Sequence, residues 1–142
     1  MRALMFALSR HEGNSARVKH WLRQMLSETS GDLLADVLDG LTRIHDVEVA
    51  MTVLALAHDH SEYVRGAVLR YARELVPTRA WMLLTAAASD AHYVVRENVA
   101  DELAALRDPR SRSLLETLAN DEHPHVRQAA TSALAELDRR PR

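Results

Sequence analysis

A period of 31 residues runs through most of this chain. Asp59, Asp90 and Asp121 lie 31 apart, as do Val64, Val95 and Val126, and Arg65, Arg96 and Arg127. Cutting on that period gives three segments in register without a gap, 50–80, 81–111 and 112–142. The apolar columns agree as well: Val53 with Leu84 and Leu115, Val68 with Val99 and Ala130, Leu75 with Leu106 and Leu137. One period earlier, Leu22, Met25, Leu33, Val37, Leu41 and Ile44 fall into the same columns. Residues 19–49 are therefore a degenerate first copy, with Glu28 in the Asp column and Leu34 in the Arg column. A fixed period of this size signals copies of one supersecondary unit. No copy can bury its apolar face alone, so neighbours must stack into a common core.

Inside each copy the apolar residues follow helical spacing twice. Val53, Leu56 and Ala57 mark one helix, and Val64, Val68, Ala72 and Leu75 mark the next. Asp59-His60-Ser61 separates them, with Ser61 placed to cap the second helix. In the last copy Pro124 takes the position aligned with Glu62, the first helical residue, where proline is tolerated. Asp108-Pro109 starts a helix by the same logic. With only four Gly and four Pro in 142 residues, little interrupts a chain rich in Ala and Leu, so the expected class is all-α. The spacing predicts helices at about 2–9, 15–27, 31–44, 47–58, 61–75, 79–89, 92–106, 109–119 and 123–138. The whole chain, 1–142, is expected to be one repeat domain, with an N-terminal helix in residues 1–18 ahead of four repeats.

The D-x-x-x-x-V-R pattern at the turn and the start of the second helix resembles HEAT repeats. It is most similar to the short bacterial HEAT-like units related to those of phycobilin lyases, over about residues 19–142. The resemblance implies an α-solenoid of about four two-helix repeats, with the second helices lining the concave face. It also implies that the Asp and Arg columns tie neighbouring repeats together. Leu34 breaks the Arg column, so that tie should be absent or altered in the first repeat.

Other classes lose support from the same residues. There is no Cys, which removes disulfides, thiol catalysis and thiolate metal sites. The apolar run Ala3–Leu8 is followed by Arg10-His11-Glu12 rather than a cleavage site, and no stretch approaches the length of a membrane span, so a cytoplasmic location is expected. His58-x-His60 and His123-x-His125 straddle turns and lack converging partners, so neither a metal nor any other cofactor is expected. The recurring Asp and Arg columns invite a catalytic reading. Catalysis, however, needs a residue once, whereas a structural role recurs in every copy. Asp at a helix start can cap exposed N–H groups, and an Arg one turn in can reach a carbonyl or carboxylate. No phosphate loop, nucleophile motif or HExxH occurs, and the expectation is a protein without enzymatic activity.

The net charge of −2 conceals an uneven distribution. Residues 1–24 carry +4, residues 25–62 carry −7 and residues 63–142 carry +1. If Val64, Val68 and Leu75 face the core, the opposite stripe of that helix presents Tyr63, Arg70 and Arg73. The matching columns hold Asp32 and Asp39 in repeat one, and Glu97 and Asp101 in repeat three. Asp32, Asp36 and Asp39 lie at i, i+4 and i+7, one acidic stripe suited to a basic partner. These eight residues form the expected partner-binding face. Asp39, Arg70 and Asp101 share one column, so Arg70 can bridge to a carboxylate on either neighbour. Acidic residues interleaved with Arg70 and Arg73 disfavour a phosphate-binding stripe, which makes nucleic acid an unlikely partner. The resulting expectation is a protein-interaction module, acting as an adaptor, regulatory subunit or immunity-type inhibitor, that binds a basic protein or peptide. The first alternative, implied by the resemblance, is an accessory subunit of a chromophore-lyase-type complex. The second is a nucleic-acid-binding helical-repeat protein.

Overall fold

A computed structural model of the protein describes residues 16–139, and every regular element among them is helical. The helices are α1 (Ala16–Glu28), α2 (Gly31–Arg43), α3 (Ala50–Leu54), α4 (Glu62–Leu75), α5 (Pro77–Ala87), α6 (Tyr93–Leu106), α7 (Ser111–Leu118) and α8 (Pro124–Arg139). They pair as the period predicts, giving an all-α fold of two-helix repeats of the α-solenoid class. The helix expected over 2–9 lies outside the described residues.

The chain divides into two compact units, Met1–Val76 and Pro77–Arg142. In the first, α1 packs on α2, and α2 lies along α4, so the second helices of repeats one and two are neighbours. In the second unit α5 packs on α6, α7 on both α6 and α8, and α6 along α8. The recurring apolar columns are the core of each unit: Val53, Val64 and Val68 in the first, and Leu84, Val95, Val99, Leu115, Val126 and Ala130 in the second, are fully buried.

Two elements differ from the sequence expectation. Residues 47–58 are not one α-helix. A 3₁₀ turn (Val47–Val49), the short α3 and a second 3₁₀ turn (Ala55–His58) follow one another. Val47, Val49, Thr52 and Val53 are β-branched and lose side-chain freedom in a helix, which weakens continuous α-structure here. Nor does Asp108-Pro109 open a helix. Arg107 is left-handed at φ 60° and ends α6, Asp108 then accepts from the Arg110 N–H at 2.8 Å, and α7 begins at Ser111.

The Asp and Arg columns form the same staple in each regular repeat. The Asp side chain accepts the backbone N–H two residues on: Asp59 from Ser61 at 2.9 Å, Asp90 from His92 at 2.9 Å and Asp121 from His123 at 2.8 Å. The Arg six residues on donates to the carbonyl of that Asp, at 2.8 Å for Arg65, Arg96 and Arg127 alike. Arg127 is exposed and Arg96 only 8% exposed, yet both make this bond. Arg96 also grips both oxygens of Asp121, at 2.8 and 3.0 Å, and so joins repeat three to repeat four.

Repeat one has no such staple. Leu34 is buried instead, and Glu28 is exposed, accepting from Gln24 at 3.2 Å. A different cluster joins repeats one and two. Arg23 of α1 binds both oxygens of Asp46 at 2.7 Å each, and the Tyr71 hydroxyl of α4 donates to the Asp46 carbonyl at 2.5 Å. Asp46 is only 2% exposed and also caps the following 3₁₀ turn through the Glu48 N–H. The Arg23 guanidinium holds the Asp46 carboxyl below its ordinary range, while burial, assisted by the Asp46 charge, pushes the Tyr71 hydroxyl up to about 12.

Two outcomes are expected. The Arg96 hydrogen bonds hold the Asp121 carboxyl below its ordinary range. A depressed carboxyl stabilises the fold at every pH above its unfolded value, about 3.9, and that contribution is lost as pH falls through the lower folded value. Arg96→Ala should therefore cost about 2 kcal/mol at neutral pH. In pH-dependent melts, its deficit against the native protein should shrink from about pH 5 downward. Ser111 is fully buried, and its Oγ has no hydrogen-bond partner. Its column-mate Ala80 is equally buried. Ser111→Ala should raise stability by about 1 kcal/mol in chemical denaturation, because an unsatisfied hydroxyl leaves the core.

Candidate functional site

The second helices of the first unit carry six of the eight expected binding residues. Asp32, Asp36 and Asp39 lie on α2; Tyr63, Arg70 and Arg73 lie on α4. Each helix has its acid early and its base late, Asp32 and Arg43 on α2, Glu62 and Arg73 on α4. Both therefore complement their own macrodipoles, which accounts for part of the acidic stripe without any partner. Asp32 and Tyr63 are exposed, Tyr63 at 45%, whereas Asp36 and Asp39 are half-buried.

Toward the C-terminal turns of α2 and α4 the surface opens into a groove of about 420 Å³. Asp39, Thr42 and Arg43 line one wall, Arg70, Arg73 and Glu74 the other, and His45 closes the α2 end. The walls are in register, since 39 with 70, 42 with 73 and 43 with 74 are each one period apart. Arg70 forms a planar two-point pair with Asp39, Nε to Oδ1 at 2.9 Å and Nη2 to Oδ2 at 3.0 Å. Glu74 lies 3.7 Å from His45 Nε2 and 3.8 Å from Arg73 Nη2. His45 adopts φ 58°, a left-handed conformation that turns the chain immediately after α2 and places the imidazole at the groove.

The structure thus brings Asp39, Arg70 and Arg73 together in one groove. Thr42, Arg43, His45 and Glu74, which also line it, were missed as binding residues. Helical spacing carried the signal for three of them: Thr42 and Arg43 follow Asp39 by three and four residues, and Glu74 follows Arg70 by four. His45 had no such signal. Its place depends on a backbone turn. Asp32, Asp36 and Tyr63 are not among the groove residues. Glu97, half-buried, and Asp101, exposed, lie one turn apart on α6 of the second unit.

Of the two histidine pairs singled out by spacing, His123 and His125 have a local use, and His92, one period before His123, shares the capping role. His92 and His123 each cap a second helix through Nδ1, accepting from the Val94 and His125 N–H groups at 3.2 Å. Tyr93 stacks face to face on His123, 3.7 Å between ring centres and 6° between planes, and His125 meets both rings edge-on. One ring nitrogen of each capping histidine is therefore committed to the backbone. Among the described residues no helix is long and apolar enough to cross a membrane.

The Asp39–Arg70 pair shapes the groove more than it stabilises the unit. Both side chains are about one-third exposed, 33% and 32%, and pairs at such sites contribute about 0–1 kcal/mol. A double-mutant cycle with Asp39→Asn and Arg70→Gln, read by denaturant unfolding, should give a coupling energy below about 1 kcal/mol.

Comparison with known proteins places the second unit first. No curated protein matches the chain. Residues 81–142, the third and fourth repeats, match the family model for HEAT repeats, in agreement with the staple geometry found there.

Proposed function

We propose that this protein is a non-enzymatic interaction module, an adaptor, regulatory subunit or inhibitor that binds a protein or peptide on the face of its second helices. HEAT repeats are commonly protein-interaction modules, and the match over residues 81–142 supports the same use here. The observation that carries the reading is the groove between α2 and α4, a concave surface on two neighbouring helices lined by charges of both signs. Such a surface selects a partner by charge pattern and shape rather than by chemistry done on it. Asp32 and Asp36, on the turns of α2 before the groove, suit a basic segment of that partner. Arg70, held on both carboxylate oxygens of Asp39, is poorly disposed to phosphate, which favours protein over nucleic acid.

A photo-crosslinking residue replacing Tyr63 tests the assignment. It should capture a discrete partner in the native host, whereas the same residue at the still more exposed Met82 of α5 should not. Asp32→Lys with Asp36→Lys should slow association with the captured partner by at least about tenfold at low salt. Capture from position 82 but not 63 would place the interaction elsewhere.

A further inference from the structure

We infer that the outer face of repeat four is a docking surface for a partner that lays a helix along α8 and presents an aspartate on the turn entering that helix. This goes beyond the interaction-module reading, because the contact lies in the second unit and does not use the α2–α4 groove.

The joint between repeats three and four shows what such a face accepts. Arg96, Ala100, Leu103 and Ala104 fall at i, i+4, i+7 and i+8 on one side of α6, and Arg96 reaches from that side to Asp121 of repeat four. There α6 lies along α8. All four residues are buried, Ala100 and Leu103 completely. One period on, the same side of α8 carries Arg127, Thr131, Leu134 and Ala135. Arg127, Thr131 and Ala135 are exposed, and Leu134 is half-buried. A leucine among small side chains lets a second helix approach closely. The side is built like a packing face and is open among the described residues.

Arg127 supplies the chemistry. Arg96 divides its guanidinium in two: Nη1 closes its own turn on the Asp90 carbonyl, and the Nε–Nη2 edge takes both oxygens of Asp121. Arg127 makes the first of these contacts. Its Nη1 donates to the Asp121 and Glu122 carbonyls at 2.8 and 3.0 Å. Among the described residues its Nε and Nη2 have no acceptor. That edge is a planar fork of donors, and the group that matches it is a carboxylate. The bonds through Nη1 hold the guanidinium in place beforehand, so binding costs little side-chain freedom. Because the fork sits in the first turns of α8, the carboxylate comes from the start of the partner's helix, as Asp121 does for Arg96. A free anion would leave Leu134 and Ala135 uncovered. A helix with an acidic entry turn covers both.

The test uses the full chain and, as probe, a fluorescein-labelled peptide of residues 119–139 of the same sequence. A staple between positions 128 and 132, both exposed on α8, makes it enter as a helix with Asp121 on its turn. Anisotropy should show binding. Arg127→Gln in the full chain should weaken it about tenfold, the worth of one charged contact under cover. Thr131→Arg, at the position matching the fully buried Ala100, should weaken it at least as much. It leaves the turn bonds intact, so it carries the comparison if Arg127→Gln lowers the melting temperature. Asp121→Asn in the peptide should lose the same factor, and Arg79→Gln, exposed on α5, should change nothing. No binding, or equal binding of the Asn peptide, overturns the inference. So does binding indifferent to both Arg127→Gln and Thr131→Arg, which would mean that the peptide displaces α8 from α6. A full chain that dimerises and loses the dimer on Thr131→Arg gives the face to a second copy and overturns the inference too. Partner capture from position 63 without peptide binding sinks this inference alone. Peptide binding with no capture from position 63 sinks the groove reading alone.

Discussion

The turns of the three regular repeats depend on a bond between an arginine and the carbonyl six residues behind it. A two-helix repeat must reverse its chain at a turn, and turns leave backbone groups without partners. In the three regular repeats the turn Asp satisfies one N–H with its side chain, and the following Arg satisfies the Asp carbonyl. The guanidinium has donors to spare, and in Arg96 the remainder reach the next repeat through Asp121. In repeat three one pair of side chains therefore fixes the turn and also supplies the link to repeat four. The fully buried valine beside each Arg, Val64, Val95 and Val126, sets how deep the second helix sits, and the staple sets its starting angle.

Where the staple is missing, a different solution appears. Repeat one buries Leu34 in place of the arginine and is held by Asp46, gripped by Arg23 on its side chain and by Tyr71 on its carbonyl. This cluster reaches across three segments of chain, whereas the staple is local. Its charged parts are satisfied, as a buried carboxylate requires. The consequence for the groove is direct. Asp46 fixes the turn that follows α2, and the left-handed His45 immediately before it lines the groove.

What the sequence revealed and what it concealed follow from recurrence. Asp59, Asp90 and Asp121 were legible as structural because a column repeated three times is improbable for anything else, and their geometry is the same in all three copies. Asp46 was illegible for the converse reason. Its column holds Asp46, Pro77 and Asp108, three residues with different local uses, and reading by period gives it no weight. The α2–α4 face was legible in outline from helical spacing, which placed Asp39, Arg70 and Arg73 on one side. The groove itself needed the backbone turn at His45, and no side-chain pattern encodes a φ of 58° at a residue other than glycine. The breakage of residues 47–58 into 3₁₀ and α pieces was concealed because its apolar spacing still satisfies a helix, while the β-branched residues decide the local geometry.

The self-contained staple also bears on how such a chain grows. Its donor and acceptor lie within seven consecutive residues, so a segment copied whole carries its own turn with it. For repeat three the guanidinium-to-next-Asp bond must also be remade at the joint, and a copy of that unit brings both halves. Repeats two to four are in this sense interchangeable cassettes, and tandem duplication or loss of 31 residues leaves the turn chemistry intact. Repeat one is not a cassette. With Glu28 and Leu34 it can neither close its own turn in this way nor offer a guanidinium to a successor, so inserted between two regular copies it would interrupt the series. The turn chemistry therefore tolerates a change in copy number on the C-terminal side of Asp46 and not on the other, an asymmetry written into a single column.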